Sequence, residues 1–179
     1  MKSDLDALMQ ARNLDALLVV GAAEHNPPMY YFTGGGHVSS AILVKKRGGA
    51  PILFYNDMER DEAAKTGLST RSLSEYPLQE YAKEAGENLV LLSALQFKHI
   101  LSDAGLTQGR LGIYGRVELS NVLGILMKLK ELLPDLEVVG EEITDSVLVR
   151  AMETKEESEV DRIRRMGRIT TEVVRLTAD

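Results

Sequence analysis

The residues able to do chemistry are few and scattered. The histidines are His25, His37 and His99, and the chain has no cysteine. Disulfides, thiolate nucleophiles and Cys-ligated zinc are therefore excluded. No two histidines form an H-x-H or H-E-x-x-H pair, so a zinc site built from neighbouring ligands has no support, although dispersed ligands stay open. Gly34-Gly35-Gly36 is not followed by G-K-[ST] and makes no phosphate loop. Gly21 follows an apolar run, as the first glycine of a dinucleotide turn would. Ala22, Ala23 and Glu24 then break the pattern, and Glu24 would repel a pyrophosphate. No G-x-S-x-G elbow exists for a serine hydrolase. Asp57-Met58-Glu59-Arg60-Asp61-Glu62 looks like the start of a calcium loop, but Glu62 stands where glycine is needed and Leu68 where the bidentate Glu belongs. A helix cap followed by dipole-favoured carboxylates accounts for this run. Pairs of acid–base carboxylates leave no local signature and stay open.

One stretch stands apart, Asn26-Pro27-Pro28-Met29-Tyr30-Tyr31-Phe32-Thr33-Gly34-Gly35-Gly36-His37. Three consecutive aromatics could stack a base. On a short helix, at least one of them should instead turn into the core. The glycines make a turn and a tip, and His37 sits on it.

The elements that must carry these residues follow from periodicity. Ser3 to Asn13 reads as a helix opened by an S-x-x-D cap of Ser3 and Asp6, with Leu5, Leu8 and Met9 on one face. Ala16 to Val20 is a buried strand. Ser40–Lys45 and Pro51–Tyr55 form a hairpin through Arg47-Gly48-Gly49. A short helix over Met58–Lys65 and a strand over Thr70–Leu73 follow, then a helical turn or two at Leu78–Ala85. Asn88–Ala104 reads as a longer helix with core positions Leu92, Leu95, Ile100, Leu101 and Ala104. Arg110–Tyr114 is a strand. Ser120–Leu133 is a helix whose stripe is Leu119, Val122, Leu123, Leu126, Leu129 and Leu133. Leu136–Val139 is a last strand, and Thr144–Met152 is helical. Thr154-Lys155-Glu156-Glu157 reads as a capping box opening a charged helix to the C-terminus. Val160, Ile163, Met166, Ile169, Val173 and Leu176 mark its apolar face, which must find a partner surface or pack back on the domain.

The bulk numbers fit this outline. The chain has 179 residues, 44% of them hydrophobic and 27% charged, within the range of globular proteins. A net charge of −6 argues against a general nucleic-acid binder. No run is long enough to span a bilayer, and the N-terminus lacks the apolar core of a signal peptide, so a cytoplasmic protein is expected.

The order of motifs resembles the N-terminal domain of the creatinase/prolidase/aminopeptidase P family, the pita-bread metallopeptidases. Leu14-Asp15-Ala16-Leu17-Leu18-Val19, then Asn26 and Tyr31-Phe32-Thr33-Gly34, is similar to the family's opening. Leu111-Gly112-Ile113-Tyr114, the helix to Leu133 and Glu137-Val138-Val139 come next. Arg150, Lys155, Glu159-Val160 and Ile163-Arg164-Arg165 resemble its interdomain linker helix. Phe32 stands where Leu is common, and Arg150 lies further from Lys155 than is usual. The resemblance implies an α/β fold, a three-layer α/β/α arrangement with a mixed sheet of about six strands and a ribonuclease H-like motif. It implies a domain over residues 1–143 and linker helices over 144–179 leading to a catalytic domain absent from this sequence. In the family that domain supplies two Asp, one His and two Glu to two divalent metal ions.

On this resemblance the chain holds no catalytic residue, metal or cofactor of its own and is inactive alone. It would serve an Xaa-Pro dipeptidase or aminopeptidase, or instead a non-peptidase or metal-free relative as a binding or regulatory module. Its expected partners are its own catalytic domain and a second copy in a homodimer, with neither nucleic acid nor membrane. Two readings of His37 stand: an exposed loop histidine, or, with Tyr31, a substrate gate at the parent's active-site mouth.

Overall fold

The computed structural model describes residues 4–178. Ser3, half of the expected first cap, lies outside them. The elements run α1 (Leu5–Ala11), β1 (Ala16–Gly21), α2 (Pro27–Thr33), β2 (Ala41–Lys46), β3 (Ile52–Tyr55), α3 (Arg60–Lys65), β4 (Ser69–Ser72), α4 (Leu78–Ala85), α5 (Leu89–Asp103), β5 (Gly109–Gly115), α6 (Leu119–Leu132), β6 (Leu136–Val139), α7 (Val147–Glu153) and α8 (Glu157–Ala178). Each expected strand and helix is present, with ends displaced by a few residues.

The strands make one mixed sheet in the order β4-β3-β2-β1-β5-β6. β1 is antiparallel to β2, as β2 is to β3. β4 runs parallel to β3, and β5 runs parallel to both β1 and β6. The continuous apolar run of β1 is explained by its central place: both of its faces are covered. Leu17 and Val19 point into one core with Leu5 and Met9 of α1, Met29 and Phe32 of α2, Ala63 of α3 and Val147, Leu148 and Ala151 of α7. Ala16, Leu18 and Val20 point into the other, with Ile100 and Leu101 of α5 and Leu129 of α6. The result is the three-layer α/β/α arrangement with a six-stranded sheet.

Sequence expectations change at four points. Leu119 and Leu123 are exposed, at 75% and 54%, and Ile125 takes the buried place. α6 lies on the sheet and against α5, and Gly124 meets Val90 of α5, so the buried arc is rotated toward Val122, Ile125, Leu126 and Leu129. Leu92 and Ala104 are only half-buried. α8 does not pack back. Every described residue from 161 to 178 is exposed, including Ile163, Met166, Ile169, Val173 and Leu176. Its start also differs: Glu159 accepts a hydrogen bond from the Glu156 backbone N–H at 2.9 Å, so this half of the box forms two residues later than expected.

Candidate functional site

The aromatic corner is built by the end of β1. Gly21 has φ +107°, and a Cβ there would lie 2.8 Å from the carbonyl oxygen of Arg116 and 3.2 Å from the Asn26 amide. Only glycine suits so tight an approach in this conformation. Asn26 is buried and donates from Nδ2 to the Val20 carbonyl at 3.0 Å. The two prolines occupy the first turn of α2, where no N–H is required. Gly34 ends the helix in the left-handed conformation, φ +67°.

Successive positions on α2 turn by about 100°, and the aromatics separate accordingly. Phe32 is buried in the core. Tyr30 is 52% exposed. Tyr31 meets Phe32 edge-on at 5.0 Å between ring centres, and its hydroxyl is buried without a hydrogen-bond partner among the described residues. Burial, followed by the negative charges of Glu156, Glu159 and Asp4, pushes the Tyr31 phenol up to about 12. Tyr31 thus faces the start of α8.

His37 lies elsewhere. Its ring is 3.4 Å from the Glu24 carboxylate, and both side chains are exposed. It lines a shallow hollow of about 310 Å³ with Glu24, His25, Tyr30 and Gly35–Gly36. Tyr31 does not line this hollow, so the two sequence-selected residues do not share one cavity. The missed members are His25 and Tyr30. The 100° helical step points Tyr30 and Tyr31 to different sides, but nothing in the sequence brings His25 round to the glycine tip.

The acidic run also finds its use here. Asn56 caps the turn by accepting from the Met58 N–H at 3.2 Å. Glu59 accepts from the backbone N–H and hydroxyl of Ser39 at 2.7 and 2.5 Å. The Glu62 carboxyl is held below its usual range, first by Lys65 and in part by the His37 backbone. These carboxylates pin the backbone of the glycine loop and leave the His37 side chain turned to solvent. Such a hollow can offer an imidazole, a phenol and a carboxylate to a polar ligand. No serine, threonine, cysteine or lysine lines it to act as a nucleophile. Among the described residues, no three His, Asp or Glu side chains converge as a metal-ligand group.

The residues that carried the resemblance hold structural places. Asp15 accepts from the Arg110 backbone N–H at 2.9 Å and pairs with Arg47 at 2.8 Å, tying β1 to β5 and the hairpin. Thr33 returns its hydroxyl to the Met29 carbonyl. Arg150 pairs with Asp145 at 2.7 Å and Glu153 at 3.1 Å, and Asp145 also holds Arg12 beyond α1. Lys155 donates to the Met152 carbonyl.

Solved structures share this architecture. The chain is similar to a dipeptidase from Pyrococcus horikoshii OT3, with TM-score 0.62 and 18% identity over 97% of this chain and 42% of that one. An X-Pro aminopeptidase from Thermotoga maritima MSB8 gives 0.56 and 17%, over 90% and 38%. The prolidase from Pyrococcus furiosus gives 0.52 and 14%, over 90% and 40%. The chain thus spans less than half the length of these proteins. No curated protein matches its sequence. The model of the creatinase/prolidase N-terminal domain matches residues 2–145, and the chain belongs to that family.

Proposed function

We propose that this domain is the non-catalytic N-terminal part of a metal-dependent Xaa-Pro dipeptidase or aminopeptidase. In this reading it covers one side of the parent's active site and helps to form a homodimer. The observation that carries it is the family match over residues 2–145 followed by α8, whose apolar side chains from Ile163 to Leu176 are exposed among the described residues. An amphipathic helix with a bare stripe requires a second surface. The reading supplies one, a catalytic domain joined through α8, with the linker beginning near residue 144.

That catalytic domain would hold two divalent metal ions, whose chemistry is to activate water against a scissile carbonyl. This chain's contribution is positional. Arg150, Asp145 and Arg12 fix α7 to α1, and Tyr31 sits at the junction with α8. His37, with Tyr30 and Glu24, presents polar groups at a rim. Among the described residues no helix is long and apolar enough to cross a membrane.

The test is the coding sequence beyond Asp179. It is expected to supply two Asp, one His and two Glu, and the intact product should cleave Xaa-Pro dipeptides only with divalent metal. The 179-residue chain alone should show no turnover. A downstream domain lacking that ligand set would replace the peptidase reading with a binding or regulatory one.

A further inference from the structure

The sheet carries a second feature that the peptidase reading does not use. The chain leaves β1 toward β2 on one side. It returns through α4 and α5 to lay β5 on the other side, parallel to β1. The carboxyl ends of β1 and β5 therefore lie side by side where the direction of winding reverses. In open α/β sheets this switch point is where ligands bind. Here a cavity of about 270 Å³ opens between the sheet and the paired helices α5 and α6. Val20 and Ile42 form its floor, Ser93 and Phe97 of α5 one wall, and Asn121 and Ile125 of α6 the other.

The chemistry of the walls selects the occupant. No charged side chain lines the cavity. At many switch points a helix N-terminus binds phosphate, but at α6 that place is filled. Glu118 accepts from the backbone N–H groups of Ser120 and Asn121 at 3.0 and 2.7 Å. A second anion would meet that carboxylate. Ser40, Ser93, Gln96 and Asn121 supply neutral hydrogen-bonding groups beside a mainly apolar surface of Leu, Ile, Val and Phe side chains. An apolar cavity of about 150 Å³ holds benzene, so this one takes a ring with a short substituent.

We infer that the β1/β5 crevice is a binding site for a small neutral molecule with an apolar body and one hydrogen-bonding group, of the size class of an aromatic alcohol. The site belongs to this domain and stands whether or not the parent is a peptidase.

The test titrates the isotope-labelled 179-residue chain with benzyl alcohol, benzoate and benzylamine, following backbone amides by NMR. Benzyl alcohol is expected to give saturable shifts centred on Val20, Ser93 and Asn121, and to bind at least tenfold more tightly than either ion. Ser93 is half-buried and Asn121 exposed, so Ser93→Phe and Asn121→Phe can fill the cavity without entering the core. Each variant that keeps the remaining spectrum should weaken benzyl alcohol at least tenfold. Absence of saturation up to the solubility limit, shifts centred elsewhere, equal binding of the ions, or undiminished binding in the filled variants would each overturn the inference.

Discussion

Asn26 reaches back six residues to donate its side-chain amide to the carbonyl of Val20, and so joins the last turn of β1 to the first turn of α2. The bond is buried, and the amide oxygen of Asn26, Oδ1, has no hydrogen-bond partner among the described residues. Removing the amide deletes this buried hydrogen bond to the Val20 carbonyl. Asn26→Ala is therefore expected to cost roughly 1–3 kcal/mol. Asn26→Asp should cost more, because it buries a negative charge against a carbonyl oxygen. Urea unfolding with an unchanged slope would check both, and an Asp variant as stable as wild type would show that the corner is open to water.

Gly115 and Gly34 make a controlled comparison. Both have positive φ, +136° and +67°. A Cβ at Gly115 would fall directly onto the Val20 carbonyl, whereas one at Gly34 would meet nothing within 4 Å. Gly34→Ala should lose about 1–2 kcal/mol, the cost of the left-handed conformation alone. Gly115→Ala adds a backbone clash at the β1/β5 pair and should lose roughly 3 kcal/mol or more, or fail to fold. Melting curves of the two variants give the order, and equal losses would place β5 differently against β1.

The sequence made the sheet and helices readable because β1, β2 and the longer helices carry strong periodic signals. Ala16 to Val20 is apolar without alternation because β1 is central and covered on both faces. The misplaced face of α6 shows the limit. Leu119 and Leu129 both suit the expected stripe and Ile125 lies outside it, and only the position of α5 decides that Ile125 is covered and Leu119 is left in solvent. The corner was legible as a turn from its Asn, Pro and Gly content. The meeting of His25, Tyr30 and His37 was not, because it depends on how Glu59, just before α3, and Glu62 within it hold the loop. The crevice between β1 and β5 arises from a return crossing of more than 80 residues' separation in the chain, which no local pattern records.

Lys45 is buried, and its ammonium is 2.5 Å from the Asp6 carboxylate of α1, which is half-exposed. Burial pushes the Asp6 carboxyl up, but the hydrogen bond from Lys45, the Gly48 backbone and the charges of Lys45 and Arg47 outweigh it and hold the group below its usual range. A depressed carboxylate stabilises the fold above its unfolded value, near pH 3.9, and that contribution is lost as pH falls through the lower folded value. Asp6→Asn leaves Lys45 without its counter-charge. At neutral pH it should cost about 1–2 kcal/mol, less than the roughly 3–5 of a wholly buried pair because water reaches Asp6. Denaturant unfolding of both proteins from pH 7 to pH 2 should show the difference shrinking below about pH 4. A constant difference would assign the loss to packing.

α8 contributes nothing to the core of this domain beyond its first turn. Residues 161–178 are exposed and carry Arg162, Arg164, Arg165, Arg168 and Arg175. Brief trypsin treatment of the isolated chain is expected to remove α8 from Arg162 onward. The remaining body should melt within about 2 °C of the uncut chain. Resistance of these arginines to cleavage, with a concentration-dependent melting temperature, would show instead that the apolar face is covered by another copy.

Tyr31 gives the sharpest test of the linker junction, because among the described residues its hydroxyl is buried without a hydrogen-bond partner beside Glu156 and Glu159. Burial, then those carboxylates, raise the phenol to about 12, above its ordinary value of 10.0. The folded state therefore holds the proton more tightly than the unfolded state. That contribution is complete below pH 10 and is lost as pH rises toward about 12. Tyr76 adds a loss of the same sign, its phenol raised to about 12 by burial and by its bond to Asp103. Tyr31→Phe deletes an unsatisfied buried hydroxyl and keeps the ring against Phe32. At pH 7 it should be neutral or stabilising by up to about 1 kcal/mol, and its stability should fall less steeply than wild type above pH 10. A Phe variant that loses stability at pH 7 would mean that the hydroxyl is bonded after all, and an unchanged alkaline slope would place the titration on Tyr76 alone.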